Sequence, residues 1–267
     1  DPAAVLSAAS ALYNKEKFGS VHDHYSILQK PSDLLLAFDV EKDYYTAVSA
    51  AELKHTDAPA LLQEFLEKYP ENTRTNRVWF QLGNLYFRNN SFRSALDAYQ
   101  QVDKFDMNPE ELAEFTFKQG YCHFKQNDFD KAADAFYGIK EQQTRYTGPA
   151  TYYYAHIMYA DGKYETALRD FQRLERDETF KSVVPYYIIQ IYYIQGRHEE
   201  VLEMAQPYLK GRRNKRTNEI LRIVADVNYK RGNFQEAINL LEEYRKVSRG
   251  KFSREETYIL AYSYYKT

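Results

Sequence analysis

An all-α array of helical hairpins is the fold class that this sequence predicts, and two observations carry the prediction. Residues 78–99 join an apolar helical face to a small-residue anchor, and the combination returns down the chain. The anchors Ala95, Ala132, Ala167, Val201 and Ala237 stand 37, 35, 34 and 36 residues apart. Self-similarity at this spacing marks a solenoid, in which each repeat packs on its neighbours and no single core grows with length. Within the repeat, Trp79, Leu82, Gly83 and Tyr86 fall at i, i+3, i+4 and i+7, one face of a helix.

Each repeat therefore reads as a first helix, a short turn and a second helix. The turns are Asn89-Asn90-Ser91-Phe92, Gln126-Asn127-Asp128-Phe129, Asp161-Gly162-Lys163-Tyr164, Gln195-Gly196-Arg197-His198 and Arg231-Gly232-Asn233-Phe234. Asn and Gly tolerate the left-handed geometry that ends a helix, and the ring that follows is expected to re-enter the core. Upstream, residues 1–38 read as a degenerate first repeat, with two apolar runs joined by Asn14-Lys15-Glu16-Lys17. Residues 39–75 read as an atypical second helix pair over 41–53 and 58–69, closed by Tyr69-Pro70-Glu71-Asn72, where Pro cannot continue the helix. Residues 76–267 hold consecutive repeats, the last one incomplete. It begins at Arg254, carries Leu260, Ala261 and Tyr264 at the repeat spacing, and stops at Thr267. That reads as a longer protein cut short, or as a face that another surface covers.

Gly83, Tyr86, Ala95 and Tyr99, then Gly120, Ala132 and Phe136, then Ala155, Ala167 and Phe171, and finally Ala225, Ala237 and Leu241 resemble the pattern of the tetratricopeptide-repeat family. The resemblance covers residues 76–267. It implies a right-handed superhelical αα-hairpin solenoid of tetratricopeptide repeats, about seven and a half in all, whose concave face takes a protein segment. The repeat around Ile189, Val201 and Ala205 departs from the pattern, with larger residues at both small positions and Ala in place of the second-helix ring.

Composition narrows the partners. The 36 basic and 38 acidic residues nearly cancel, so no overall field draws the chain to nucleic acid or to an anionic membrane. Tyr at 26 and Phe at 16, against a single Trp, load the chain with rings that suit half-exposed sites. One cysteine, Cys122, excludes an internal disulfide framework. No stretch reaches the roughly 18 apolar residues that a membrane span needs. The first residue is Asp1 rather than Met, which fits a mature form or a chain whose start has been removed. The density of Tyr resembles bacterial envelope-associated repeat proteins, which implies the periplasm or cell envelope rather than the cytoplasm.

The candidate binding residues lie on a second stripe of the first helices. Phe80 and Phe87, Phe117 and Phe124, Tyr152 and Tyr159, Tyr186 and Tyr193, and Tyr258 and Tyr265 are pairs seven apart. Such a pair lies two turns apart on one face, here offset by about 100° from the core stripe. Between the members stand Asn84, Tyr121, His156, Gln190 and Tyr262, while the repeat at Ile220 carries Arg222, Asp226 and Tyr229 instead. In the family this face lines the concave groove, so the resemblance implies an aromatic trough for a peptide. Equally, the rings could pack one first helix on the next. The carboxylate clamp by which some family members hold chaperone tails is not matched: Asn84 fits it, but Phe80 stands where a Lys is needed and Lys118 is the one cation nearby.

The remaining constellations carry less. Lys210, Arg212, Arg213, Lys215 and Arg216 cluster between two repeats and form a secondary basic patch, short and without interleaved rings. His22 and His24 are two apart, and on a helix they point in opposed directions, so no metal site is read there. Cys122 sits where a small buried residue is expected. Asn89-Asn90-Ser91 matches a glycosylation sequon, but the helix corner accounts for it. No cofactor motif is present. The reading is a non-enzymatic scaffold that binds a protein or peptide. A docking or regulatory region of a larger enzyme or secretion component, and a carbohydrate-binding module, stay open as alternatives.

Overall fold

A computed structural model describes residues 2–15, 17–21, 36–105, 107–209, 215–247 and 252–267. The described residues form helices and turns, and the chain divides into two compact units, Asp1–Tyr146 and Thr147–Thr267. The first unit contains α1 (Pro2–Asn14), α2 (Leu36–Glu52), α3 (Ala58–Lys68), α4 (Thr75–Arg88), α5 (Phe92–Tyr99), α6 (Pro109–Lys125) and α7 (Phe129–Ile139). The second contains α8 (Thr147–Ala160), α9 (Tyr164–Arg173), α10 (Val184–Ile194), α11 (His198–Leu209), α12 (Lys215–Lys230), α13 (Phe234–Val247) and α14 (Arg254–Lys266). Within each unit every helix packs on the next, and first helices also meet across a repeat: α2 on α4, α10 on α12, α12 on α14.

The corners explain why the hairpins form. At Asn90 the N–H of Ser91 reaches back to the carbonyl of Tyr86 at 2.9 Å, and the N–H of Asn90 to that of Phe87 at 3.0 Å. This is the double bond pattern by which a left-handed residue satisfies the last carbonyls of a helix. It recurs at Asn127, Gly162, Gly196 and Gly232, all with φ between 62° and 79°. A sixth corner, not read from the sequence, follows α2. There the N–H of His55 bonds the carbonyl of Ala50 at 2.9 Å and the left-handed residue is Lys54, φ 61°. Neither Gly nor Asn marks it, so the usual sequence signal is missing.

Helix starts are fixed by local chemistry as well. Asn108 accepts from the backbone of Glu110 and Glu111, while Glu111 bonds back to the Asn108 backbone, with Pro109 opening α6. Ser253 and Glu256 make the same reciprocal cap at α14.

The core of a repeat is a large residue facing a small one. A Cβ on Gly83 would lie 2.5 Å from Cδ1 of Tyr99, and one on Gly120 3.0 Å from Cε1 of Phe136, so these helices approach as closely as Gly allows. The repeat that departs from the family pattern places its bulk in reverse. Ile189 takes the first-helix place that Gly or Ala holds elsewhere, Ala205 takes the ring's place, and both are fully buried.

Two expectations need correction. The ring after each corner does not enter the core. Phe92, Tyr164 and Phe234 are half-buried and Phe129 is 43% exposed, because each lies in the first turn of a second helix and packs edge-on against the last ring of the first helix. On α14 the buried face is Glu256, Ile259, Leu260 and Ser263. Ala261 is exposed, and Tyr264 is largely exposed, with its hydroxyl on Glu242 of α13.

Candidate functional site

In the first unit the stripe chosen from sequence divides by depth. Phe80 is 5% exposed and packs on Tyr99 and Phe115, so it is a core residue and not part of an open face. Its place two turns before Phe87 does not rescue it, because α6 of the next repeat covers it. Phe87 is half-buried and meets Tyr121 edge-on, ring centres 5.5 Å apart. Phe117 lies against Tyr121, Phe136 and Tyr146, and Phe124 against Tyr121 and Phe129. Tyr121 is thus the centre of the face.

Asn84 is engaged within the chain. Its Oδ1 accepts from the Tyr99 hydroxyl at 2.9 Å and from Lys118 Nζ at 2.8 Å. Lys118 is itself paired with Glu114, and Glu114 with Arg145 at 2.7 Å. Burial raises the Glu114 carboxyl, but Lys118 and Arg145 outweigh it and hold its pKa below the ordinary carboxylate range. Asn84, Lys118, Glu114 and Arg145 thus form a charge-paired network between repeats.

In the second unit, α8 supplies Tyr152, His156 and Tyr159, and α10 supplies Tyr186, Gln190 and Tyr193, all half-buried. Tyr159 donates its hydroxyl to Gln190 Oε1 at 2.8 Å. Tyr152 stacks on Phe180 with centres 4.9 Å apart. Tyr193 donates to Asp226 Oδ2 at 2.5 Å, and Lys230 pairs with the same carboxylate at 2.6 Å. Burial pushes the phenols of Tyr152, Tyr159, Tyr186 and Tyr193 up and the imidazole of His156 down. The face therefore presents neutral hydroxyl, amide and imidazole groups on a bed of rings.

One residue of this face escaped the sequence reading. Tyr187 stacks on Phe171 at 5.0 Å and meets His156 at 5.5 Å and Tyr159 at 5.6 Å. It follows directly after the first ring of its repeat, the place that Lys118 holds in the first unit, and both reach back to the middle residue of the repeat before. A position one beyond the first ring was the signal, hidden because one bears a cation and the other a ring.

The last stripe pair is the most open. Tyr258 is 59% and Tyr265 81% exposed, with Tyr262 between them stacked on Tyr258 and edge-on to Tyr229. Of the basic patch, Lys210, Arg212 and Arg213 lie outside the described residues, as do His22 and His24. Lys215 opens α12 and Arg216 is exposed on it.

Among the described residues no three His, Cys, Asp or Glu side chains group to hold a metal, and no helix is long and apolar enough to cross a membrane. Cys122 is buried, and desolvation raises its thiol to about 12, the opposite of what a nucleophile needs.

Comparison with known proteins agrees with the repeat geometry. A tetratricopeptide-repeat family model matches residues 80–145. No curated protein matches the sequence. Among solved structures, a tetratricopeptide repeat protein from Parabacteroides merdae is similar over 98% of both chains at 13% identity, TM-score 0.51. MamA from AMB-1 is similar over 67% of this chain and 92% of its own, at 18% identity and TM-score 0.53. A chain in the structure of Naa15/Naa10 bound to HypK-THB is similar over 98% of this chain and 39% of its own, at 14% identity and TM-score 0.56. With left-handed corners between paired helices, small-to-large packing across each pair, and a family match over two of the hairpins, this chain has the fold of tetratricopeptide repeats, and residues 80–145 match the family itself.

Proposed function

We propose that the chain is a non-enzymatic scaffold that binds a segment of a partner protein along the first-helix faces of its repeats. In the second unit the contact centres on Tyr152, His156, Tyr159, Tyr186, Gln190 and Tyr193, with Tyr187 beneath them. In the first it centres on Phe87, Phe117, Tyr121 and Phe124. The observation that carries this reading is the ring bed around Tyr187, with half-buried Tyr152, His156 and Tyr159 held in contact with it. Rings already immobilised by their neighbours lose little rotamer freedom when a partner arrives, so contact area becomes affinity at low entropic cost. Tetratricopeptide-repeat proteins serve as scaffolds for protein partners, and the Naa15/Naa10 complex with HypK-THB contains a chain of this fold.

The test is capture of partners by crosslinking in the native cell, read by mass spectrometry, with the intact chain and with Tyr152→Ala combined with Tyr186→Ala. The double variant should weaken the captured partner by about tenfold or more, as central desolvated rings do, with helix content unchanged. Equal capture by both proteins, or loss only on neutralising Arg212 and Arg213, would move the site off this face.

A further inference from the structure

The corner at Lys54 borders a cavity of about 480 Å³ in the first unit, between the end of α2, the start of α3 and the end of α4. Lys54 and Arg88 line it with His55 and Asn89, over an apolar wall of Pro59 and Leu85. No carboxylate lines it among the described residues. Elsewhere in the unit Lys68, Arg74, Arg77, Lys118 and Arg145 are each paired with an Asp or Glu. Among the described residues, Lys54 and Arg88 are paired with none. Arg88 makes one hydrogen bond, from Nη2 to the carbonyl of Ala51 at 2.6 Å, which ties the guanidinium across the corner. A cation suits a helix C-terminus, and that bond serves the purpose. It does not account for the second cation, nor for the open volume beside both. Lys54 also occupies a left-handed position that the other five corners fill with Asn or Gly, and an L residue of this kind is disfavoured there by about 1 kcal/mol or more.

We propose that this cavity binds a phosphate monoester. A phosphate at neutral pH carries about −1.5 to −2 charges, which two unpaired cations match and one carboxylate would not. Arg offers a planar fork to its oxygens and Lys a mobile point charge. The volume lies in the range of roughly 300 to 1,000 Å³ typical of small-molecule sites, so it holds the group together with a few atoms of what bears it. Pro59 and Leu85 would take that apolar part. The phosphate could come as a free small molecule or on a phosphorylated side chain.

The experiment follows backbone amide shifts of the isotope-labelled full chain at low salt. The probes are glycerol 3-phosphate, a short phosphoserine peptide, and that peptide unphosphorylated. Saturable shifts confined to residues 53–57 and 86–90 with either phosphorylated probe support the site, and which of the two binds identifies the source. Lys54→Gln with Arg88→Gln should weaken binding by about tenfold or more, with the melting temperature of the variant recorded alongside. Arg88→Gln alone keeps an amide donor near Ala51 and guards against a folding defect. Shifts that do not saturate, that spread over the basic surface, that survive the double substitution, or that appear equally with the unphosphorylated peptide would overturn the assignment.

Discussion

The ring of Tyr99 lies against the backbone of Gly83 so closely that a single methyl there would meet Cδ1 at 2.5 Å. Gly83→Ala should therefore destabilise the protein by about 1 to 3 kcal/mol despite the helix propensity that Ala brings. Gly138, in α7, is the control, because a Cβ added there would meet nothing within 4 Å. Gly138→Ala should be neutral or stabilise by up to about 1 kcal/mol. Urea unfolding of the two variants checks the pair, and equal effects would contradict the close approach.

The reversal at Ile189 and Ala205 makes a second prediction. Ala205→Phe alone overpacks the hairpin and should destabilise by about 1 to 3 kcal/mol, and Ile189→Ala alone opens a cavity and should destabilise by about 2 to 5 kcal/mol. Combined, they restore the arrangement of the neighbouring repeats, so the double variant should lose clearly less than the sum. A double-mutant cycle in urea measures the coupling, and strict additivity would show that the two sites do not share volume.

Asp226 is the most enclosed carboxylate of the second-unit face, its side chain 7% exposed between Tyr193 and Lys230. Tyr193→Phe removes one donor and should cost about 1 kcal/mol. Asp226→Ala leaves both partners without their acceptor and should destabilise more, by about 3 kcal/mol or above. Chemical denaturation orders the two, and the reverse order would mean that the carboxylate is held at a net loss.

Several phenols titrate later folded than unfolded, chiefly through burial. Tyr146 is pushed up to about 12, and Tyr99 and Tyr152 are raised as well. A raised folded pKa means that the native state keeps a proton which the unfolded chain releases. Stability is thus intact below the unfolded value near 10 and falls as pH rises above it, by about 1.4 kcal/mol per pH unit for each proton released. Melting temperatures between pH 9 and 11 should drop, and Tyr99→Phe should make the drop shallower. A flat profile across that window would show that these phenols reach solvent.

Much of this architecture was legible in the chain because its determinants are local. Apolar spacing sets a helix face, and an Asn or Gly followed by a second apolar run sets a corner, so five corners and the helices around them follow from a few neighbouring residues each. The sixth corner did not follow, since Lys54 adopts the left-handed turn without the residue type that announces it. The candidate face was legible as a stripe but not in depth. Phe80 and Phe87 occupy equivalent faces two turns apart, yet Phe115 and Tyr99 close over the first while the second meets Tyr121 at a half-open edge. Tyr187 was missed for the same reason: its contacts come from His156 and Phe171, on helices of the preceding repeat. Sequence by itself determined the repeat, its helices and the departure from the pattern at Ile189, Val201 and Ala205. Which rings are core, which are open, and where two cations stand without a carboxylate were decided only by tertiary packing, because burial depends on the surface a neighbouring repeat lays down some thirty residues away.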